Sequence, residues 1–183
     1  MDTETALHTA EEILKPWTRS VTIPEPNRIV ISISRKNLKT GIKALLDAHW
    51  GYLSCILGVD FPGNPAPQPE EKMWERLNES EFISPSKPEG MIRVHYVFCH
   101  GAACVTLRVA PHYSNLWVPS ICELIPSATL MERELMEMFG IRVEGTPDTT
   151  HLLLPDMWPD GEFPLRKWWK GLDQELPESE LVD

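Results

Sequence analysis

Residues 91–110, MIRVHYVFCHGAACVTLRVA, leave this chain the fewest structural choices. Ile92, Val94, Tyr96 and Phe98 recur at every second position, and so do Ala103, Val105, Leu107 and Val109. A period of two over such lengths marks strands with one buried face. Only Gly101 and Ala102 separate the two runs, and a two-residue loop with glycine first suits a type II′ hairpin turn. That loop length sets the register: Phe98 opposite Val105, Tyr96 opposite Leu107, Val94 opposite Val109. The apolar sets then coincide on one face, and a slip by one position would move one of them to the other face. The same register sets His95 against Arg108 and Cys99 against Cys104. The cysteines fall at a non-hydrogen-bonded pair, where Cα atoms lie about 4.5 Å apart. A disulfide fits that spacing, but in a cytoplasmic chain two reduced thiols are expected.

An apolar sheet face needs cover, and the preceding residues supply it. Residues 28–34 alternate with Ile29, Ile31 and Ile33 on one face, and 21–23 form a short partner strand across the turn Pro24-Glu25-Pro26-Asn27. The proline-bearing arm belongs at a sheet edge. A helix is expected over 3–15, capped by Thr3, with Leu7, Ala10 and Leu14 in its stripe and Lys15-Pro16 at its end. A second is expected over 35–49, capped by Ser34, with Leu38, Ile42, Leu45, Leu46 and His49 along one face. Residues 52–59 read as an apolar central strand, and 119–124 as a short helix. The fold class is α+β: a mostly antiparallel or mixed sheet with helices packed on it, followed by an extended C-terminal tail. The domain spans 1–145 and the partner-binding tail 146–183. Residues 60–90 form a proline-rich insertion with six prolines and at most a helix over 70–77, with Trp74 and Phe82 as candidate anchors on a partner. The acidic end, 175–183, is expected to be disordered.

Several function classes are disfavoured. The net charge of −10 argues against nucleic acid and against general docking on anionic lipid, both of which need clustered Lys and Arg. No run approaches the roughly 20 apolar residues that span a bilayer. The acidic N-terminus lacks a signal-peptide core, so the chain is expected in the cytoplasm. Four cysteines without a C-x-x-C, and six scattered histidines, signal neither a zinc site nor an iron–sulfur cluster. Phosphate-binding loops, nucleophile elbows and H-E-x-x-H are missing as well. Seven tryptophans, several of them in the tail, point to an interface.

Residues 126–166 carry the densest pattern. Thr129 and Glu132 have the spacing of a capping box, and Gly140 that of a helix stop. Between them Met131, Leu135 and Met138 share a stripe with Phe139 at its edge, while Arg133 and Glu137 form an i,i+4 pair on the opposite side. Two residues fit poorly. Glu134 flanks the apolar stripe and Met136 lies among polar positions, which suggests contacts on more than one side. Glu134, Glu137 and His151 have residue types suited to acid–base work, but nothing in their spacing supports a catalytic role.

Glu132-Arg133-Glu134-x-x-Glu137-Met138-Phe139-Gly140-Ile141, then Gly145-x-Pro147-Asp148, Leu152-Leu153-Leu154-Pro155-Asp156 and Pro164-Leu165-Arg166-Lys167, resemble the signature of the 30-kDa subunit family of respiratory complex I. The close match covers about 40 of the 183 residues. Thr146 stands where the family has histidine, and Thr150-His151 where it has a basic pair. The ending Leu-Pro-Asp…Pro-Asp-Gly-Glu-Phe-Pro-Leu-Arg looks more like the homologous subunit of energy-converting membrane-bound nickel–iron hydrogenases and related ferredoxin-linked complexes. The resemblance implies a non-catalytic structural subunit of the peripheral arm of a membrane-associated oxidoreductase, on the cytoplasmic face. It implies no cofactor in this chain, with iron–sulfur clusters and possibly nickel–iron in partner subunits. The implied partners are a large catalytic subunit of 49-kDa or hydrogenase type, an iron–sulfur subunit and, indirectly, the membrane arm. The corresponding 30-kDa subunit of an NADH- or ferredoxin-linked quinone oxidoreductase is the alternative, and a standalone binding module or assembly factor a more remote one. On this reading the Met136 side of the helix and the tail bearing Trp158, Trp168 and Trp169 bury against the large subunit, and a half-buried Glu134 pairs with Arg166.

Overall fold

The computed structural model describes residues 2–63 and 90–171. The expected helix over 70–77, the anchors Trp74 and Phe82, and the acidic end 175–183 lie outside the described residues.

Strands β1 (Thr18–Glu25), β2 (Arg28–Ile33), β3 (Tyr52–Phe61), β4 (Met91–His100) and β5 (Ala103–Val109) form one sheet in the order β1-β2-β5-β4-β3. Among the described residues of this sheet, β2 and β5 pair in parallel and the other neighbours antiparallel. The fold is therefore α+β with a mixed sheet, as the alternation and helix stripes imply. Hairpin β4–β5 has the expected register, with Phe98 opposite Val105, Tyr96 opposite Leu107 and Val94 opposite Val109. Gly101 takes φ +59°, the left-handed position a II′ turn demands. Cys99 and Cys104 face each other as free thiols with sulfurs 3.5 Å apart.

Helices α1 (Thr3–Leu14), α2 (Leu38–Asp47) and α3 (Ala128–Phe139) supply the cover. Ala10, Leu14, Leu38, Ile42 and Leu45 are buried with the inward residues of β2, β4 and β5 in one core. Trp50 locks the first two helices together by donating its indole N–H to the Ala6 carbonyl at 2.8 Å. Helix α3 extends the layer over β3. There Phe139 lies so close to Gly58 that an added Cβ would come within 2.5 Å of the ring.

Four local expectations differ from the fold. Asp2, not Thr3, caps α1, accepting the Thr5 N–H at 2.9 Å, because its carboxylate reaches the first free amides. Ser34 makes no side-chain cap; a 3₁₀ turn, Arg35–Asn37, precedes α2. Strand β3 is an edge strand, not a central one. Its long apolar run serves one face under α3, and Tyr52 and Leu57 on the other stay 64% and 51% exposed. Residues 119–124 form no helix. Trp117–Pro119 is strand β6, paired in parallel with β7 (Arg142–Glu144), and a turn follows in which Ile125 N–H reaches the Ile121 carbonyl.

Candidate functional site

Helix α3 carries the signature, and its acidic residues are used in ways their spacing does not show. Glu132 is 1% exposed and closes no capping box. The Thr129 N–H already donates to the Pro126 carbonyl, and the turn at 120–122 brings other donors closer. The Glu132 carboxylate accepts the Ile121 N–H at 2.7 Å, the Ser120 hydroxyl at 2.8 Å and the Cys122 thiol at 3.1 Å. It ties the helix to the loop that follows β6.

Arg133 and Glu137 do not pair with each other, because each is engaged with the loop at 148–154. Arg133 donates through Nε to the Thr150 carbonyl at 2.9 Å and through Nη2 to the His151 carbonyl, and its Nη1 lies 3.3 Å from Asp148 Oδ2. Asp148 in turn accepts the N–H and hydroxyl of Thr150, which hold its carboxyl below its ordinary pKa. Glu137 accepts the backbone N–H groups of Leu152 (2.9 Å), Leu153 (2.9 Å) and Leu154 (3.3 Å), with His151 Nδ1 at 3.4 Å. Burial pushes the Glu137 pKa up, but the three backbone amides and His151 outweigh it, and the net shift is downward. The bonds between charged groups and backbone clamp this loop to the helix.

The end of α3 is sealed by the tail. Gly140 adopts φ +65°, and its N–H returns to the Met136 carbonyl. A Cβ there would lie 2.4 Å from the Phe163 ring. The free carbonyls of the last turn are taken up by chain that follows: Leu165 N–H binds Met138 O at 3.1 Å and Arg166 Nε binds Phe139 O at 2.7 Å.

The expected Glu134–Arg166 pair does not form. Glu134 is exposed, since its direction on the helix leads to solvent, while Arg166 is buried beside the equally buried Asp60 at 3.8 Å. Arg166 also lies over the Tyr113 ring, 4.5 Å from its centroid. Asp60 accepts the Tyr113 hydroxyl and the Lys167 N–H, the latter at 2.8 Å. Burial first, and then the Asp60 carboxylate, push the Tyr113 phenol up to about 12.

The tail as far as residue 171 thus packs on its own domain. Met136 is half-buried and lines a cavity of about 160 Å³ beneath the 158–163 turn, together with Arg133, Glu137 and Trp158. Trp158 donates its indole N–H to Glu162 O and lies 6.1 Å from the Trp169 ring. Gly145, at φ +84°, Pro147 and Pro155 shape exposed turns, and Pro164 is half-buried. Three large apolar side chains of this stretch, Leu153, Leu165 and Trp168, stay exposed among polar ones, Leu165 at 52%. Sequence reasoning missed Asp60, Tyr113 and Ser120. The one available signal was an acidic residue closing the apolar run of β3, and nothing near it in the chain pairs it.

Chemically the site is a set of fasteners. Glu132 and Glu137 are saturated with donors, and the cation next to Asp60 is buried with it. Among the described residues no group of three or more His, Cys, Asp or Glu is placed to hold a metal, and no helix is long and apolar enough to cross a membrane.

Residues 31–175 match the family profile described as respiratory-chain NADH dehydrogenase, 30 Kd subunit. Membrane-bound hydrogenase subunit beta of Pyrococcus furiosus is 30% identical over 129 residues, 58% of this chain and 75% of that protein. Formate hydrogenlyase subunit 5 of Escherichia coli is 39% identical over 84 residues, 44% of this chain. The C/D subunit of NADH-quinone oxidoreductase from Salmonella heidelberg is 40% identical over 78 residues, 43% of this chain. The chain spans only 15% and 13% of those two longer relatives. Among solved structures, a trypsin-resistant fragment of Nqo5 superposes with a TM-score of 0.54 at 22% identity, covering 81% of this chain and 99% of the fragment. A chain of the archaeal membrane-bound sulfane sulfur reductase superposes with a TM-score of 0.58 at 15% identity, covering 92% of this chain and 88% of that one. The fold is shared with both. With the profile covering most of its length and the signature residues holding loop, helix and tail together, the chain belongs to the 30-kDa-subunit family of respiratory-chain NADH dehydrogenase.

Proposed function

We propose that the chain is a non-catalytic docking subunit in the peripheral arm of a membrane-bound-hydrogenase-type, complex I-like oxidoreductase. It seats on the large catalytic subunit and helps hold that subunit in register with an iron–sulfur subunit, on the cytoplasmic face of the membrane. The redox centres, iron–sulfur and possibly nickel–iron, belong to those partners and not to this chain. The carrying observation is that Leu153, Leu165 and Trp168 are exposed on a tail that hydrogen bonds of Arg166 and Lys167 anchor to the domain. Ordering this surface before binding lowers the entropy lost on docking. In the two longer relatives the matched stretch is a small part of a larger polypeptide, which supports contact with a large neighbour.

Purification from gently solubilised membranes tests the reading. The chain is expected to travel with a large subunit and an iron–sulfur subunit, and a Leu165→Glu/Trp168→Ala variant to lose at least tenfold of that association while remaining folded. Recovery of the chain alone, as expected of a binding module or assembly factor, or turnover by the isolated chain, would overturn it. The stretch 40% identical to part of a quinone oxidoreductase favours a second reading, a subunit of an NADH- or ferredoxin-linked quinone reductase. Two C-x-x-C pairs in the co-purifying large subunit would favour hydrogenase, and their absence quinone reductase.

A further inference from the structure

Although the chain carries a net charge of −10, one cleft runs the other way. It has a volume of about 550 Å³ and lies outside the carboxyl ends of β2 and β5. Among the described residues those two are the parallel neighbours of the main sheet, and the carboxyl ends of parallel strands are a recurrent ligand position. Among the described residues its lining holds four permanent cations, Arg19, Arg35, Lys36 and Arg108, and no carboxylate. Its volume falls in the roughly 300–1,000 Å³ range of small-molecule sites.

The cations are held without being neutralised. Arg108 donates through Nε and Nη2 to the Ser32 hydroxyl, at 3.0 and 2.7 Å. Arg35 donates through Nη1 to the Asn115 carbonyl at 2.6 Å, and its guanidinium lies 4.4 Å over the Trp117 ring. Those anchors are neutral, so both guanidiniums keep their full charge. Arg19 and Lys36 are exposed, and neither has a carboxylate within 4 Å among the described residues. The nearby Lys39 and Lys43, by contrast, are paired with Glu123 and Asp47, and Arg28 with Glu25. In an acidic protein, unpaired cations gathered around one concavity repel one another and call for an anion.

We propose that this cleft binds a phosphorylated anion carrying at least two oxyanion groups. Beyond the N–H groups given to Ser32 and Asn115, each guanidinium keeps further donors, and guanidinium donors suit the oxygens of a phosphate. Arg19 and Lys36 at the rim supply the further charge that a second group needs, and the Ser34 and Ser114 hydroxyls are part of the same wall.

Calorimetry on the full chain with inorganic pyrophosphate at low ionic strength tests this. Pyrophosphate is expected to bind with sub-millimolar affinity that falls as salt is added, and to raise the unfolding midpoint. Arg19→Gln/Lys36→Gln, which alters only exposed side chains, should weaken it about tenfold or more, as should Arg108→Gln. Vesicles of phosphatidylcholine with and without cardiolipin, whose headgroup carries two phosphates, separate the sources. Binding of only the anionic vesicles, lost in the double variant, assigns the phosphate to a lipid headgroup; pyrophosphate binding without vesicle binding assigns it to a soluble ligand. Both results uphold the site. Absence of pyrophosphate and vesicle binding by the wild type, or affinity unchanged in both variants, would overturn it. So would displacement of pyrophosphate by a poly-glutamate peptide at lower concentration, which would make the cleft a dock for an acidic protein segment.

Discussion

Replacing Glu137 by glutamine removes the charge that clamps the 148–154 loop and leaves the shape nearly unchanged. The carboxylate takes Leu153 N–H on Oε1, and Leu152 and Leu154 N–H with His151 on Oε2. A glutamine has one acceptor oxygen, so whichever way its amide turns, the NH₂ meets at least one backbone N–H donor to donor. A hydrogen bond to a charged group contributes roughly 1.5–3 kcal/mol, and stranding a donor costs about 1–3 kcal/mol. Because the loop can move toward water and recover part of that, we expect a net loss of about 3 kcal/mol. Denaturant unfolding at neutral pH measures it, and hydrogen exchange should show the amides at 152–154 losing protection first. The pH dependence gives a second reading. The folded Glu137 carboxyl titrates below its ordinary value of 4.5, so on acidification the unfolded chain takes up the proton first. Its contribution is complete above 4.5 and drains away as the pH falls through the depressed folded value. The gap between wild type and variant should therefore narrow over that acidic window. A loss below about 1 kcal/mol at neutral pH, less than one such bond contributes, or a gap that stays constant through the acid range, would refute the clamp and leave Arg133 as the loop's holder.

Two further substitutions probe the tail. Arg166→Ala leaves Asp60 buried with only Tyr113 and the Lys167 N–H as partners and frees the Phe139 carbonyl; a loss of about 3 kcal/mol is expected in unfolding experiments. The same measurement on Glu134→Ala should move stability by less than about 0.5 kcal/mol, as for an exposed side chain. Gly140→Ala combines a left-handed backbone, about 1–2 kcal/mol for a residue with a Cβ, with a clash against the Phe163 ring. Repeating it in a Phe163→Ala background should relieve the clash and leave the backbone cost alone, which a double-mutant cycle resolves.

The β4–β5 hairpin, the stripe of α2 and the stop at Gly140 were legible because each is set by neighbours within a few positions of the chain. A two-residue loop leaves one register that buries both apolar faces, and a left-handed helix end favours glycine wherever it occurs. The family signature was legible in the same way, as residue types at fixed spacing. The role of each signature residue was not. Glu132 has the spacing of a capping box, Arg133 and Glu137 that of a helix pair, and those local solutions are physically sound; donors from the 120–122 turn and the 148–154 loop displaced them. The sequence reading gave a half-buried Glu134 the cation Arg166; Glu134 is exposed, and the carboxylate beside Arg166 is Asp60, far away in sequence. Strand β3 read as central because an apolar run looks the same whether it is covered on two faces or on one.

By itself the sequence determined most of the helices and strands of the main sheet and its cover, their apolar faces, and the signature of the family, but not the 117–124 stretch, where it put a helix in place of a strand and a turn. The elements and their faces follow from periodicity and covalent neighbours; the family follows from the resemblance of the 126–166 signature. The tertiary structure decided which charges meet, because a buried ion takes whichever partner the packed backbone brings within about 3 Å. It also gathered four cations of an acidic chain around one cleft, since Arg19, Arg35, Lys36 and Arg108 come together only when the ends of β2 and β5 lie side by side.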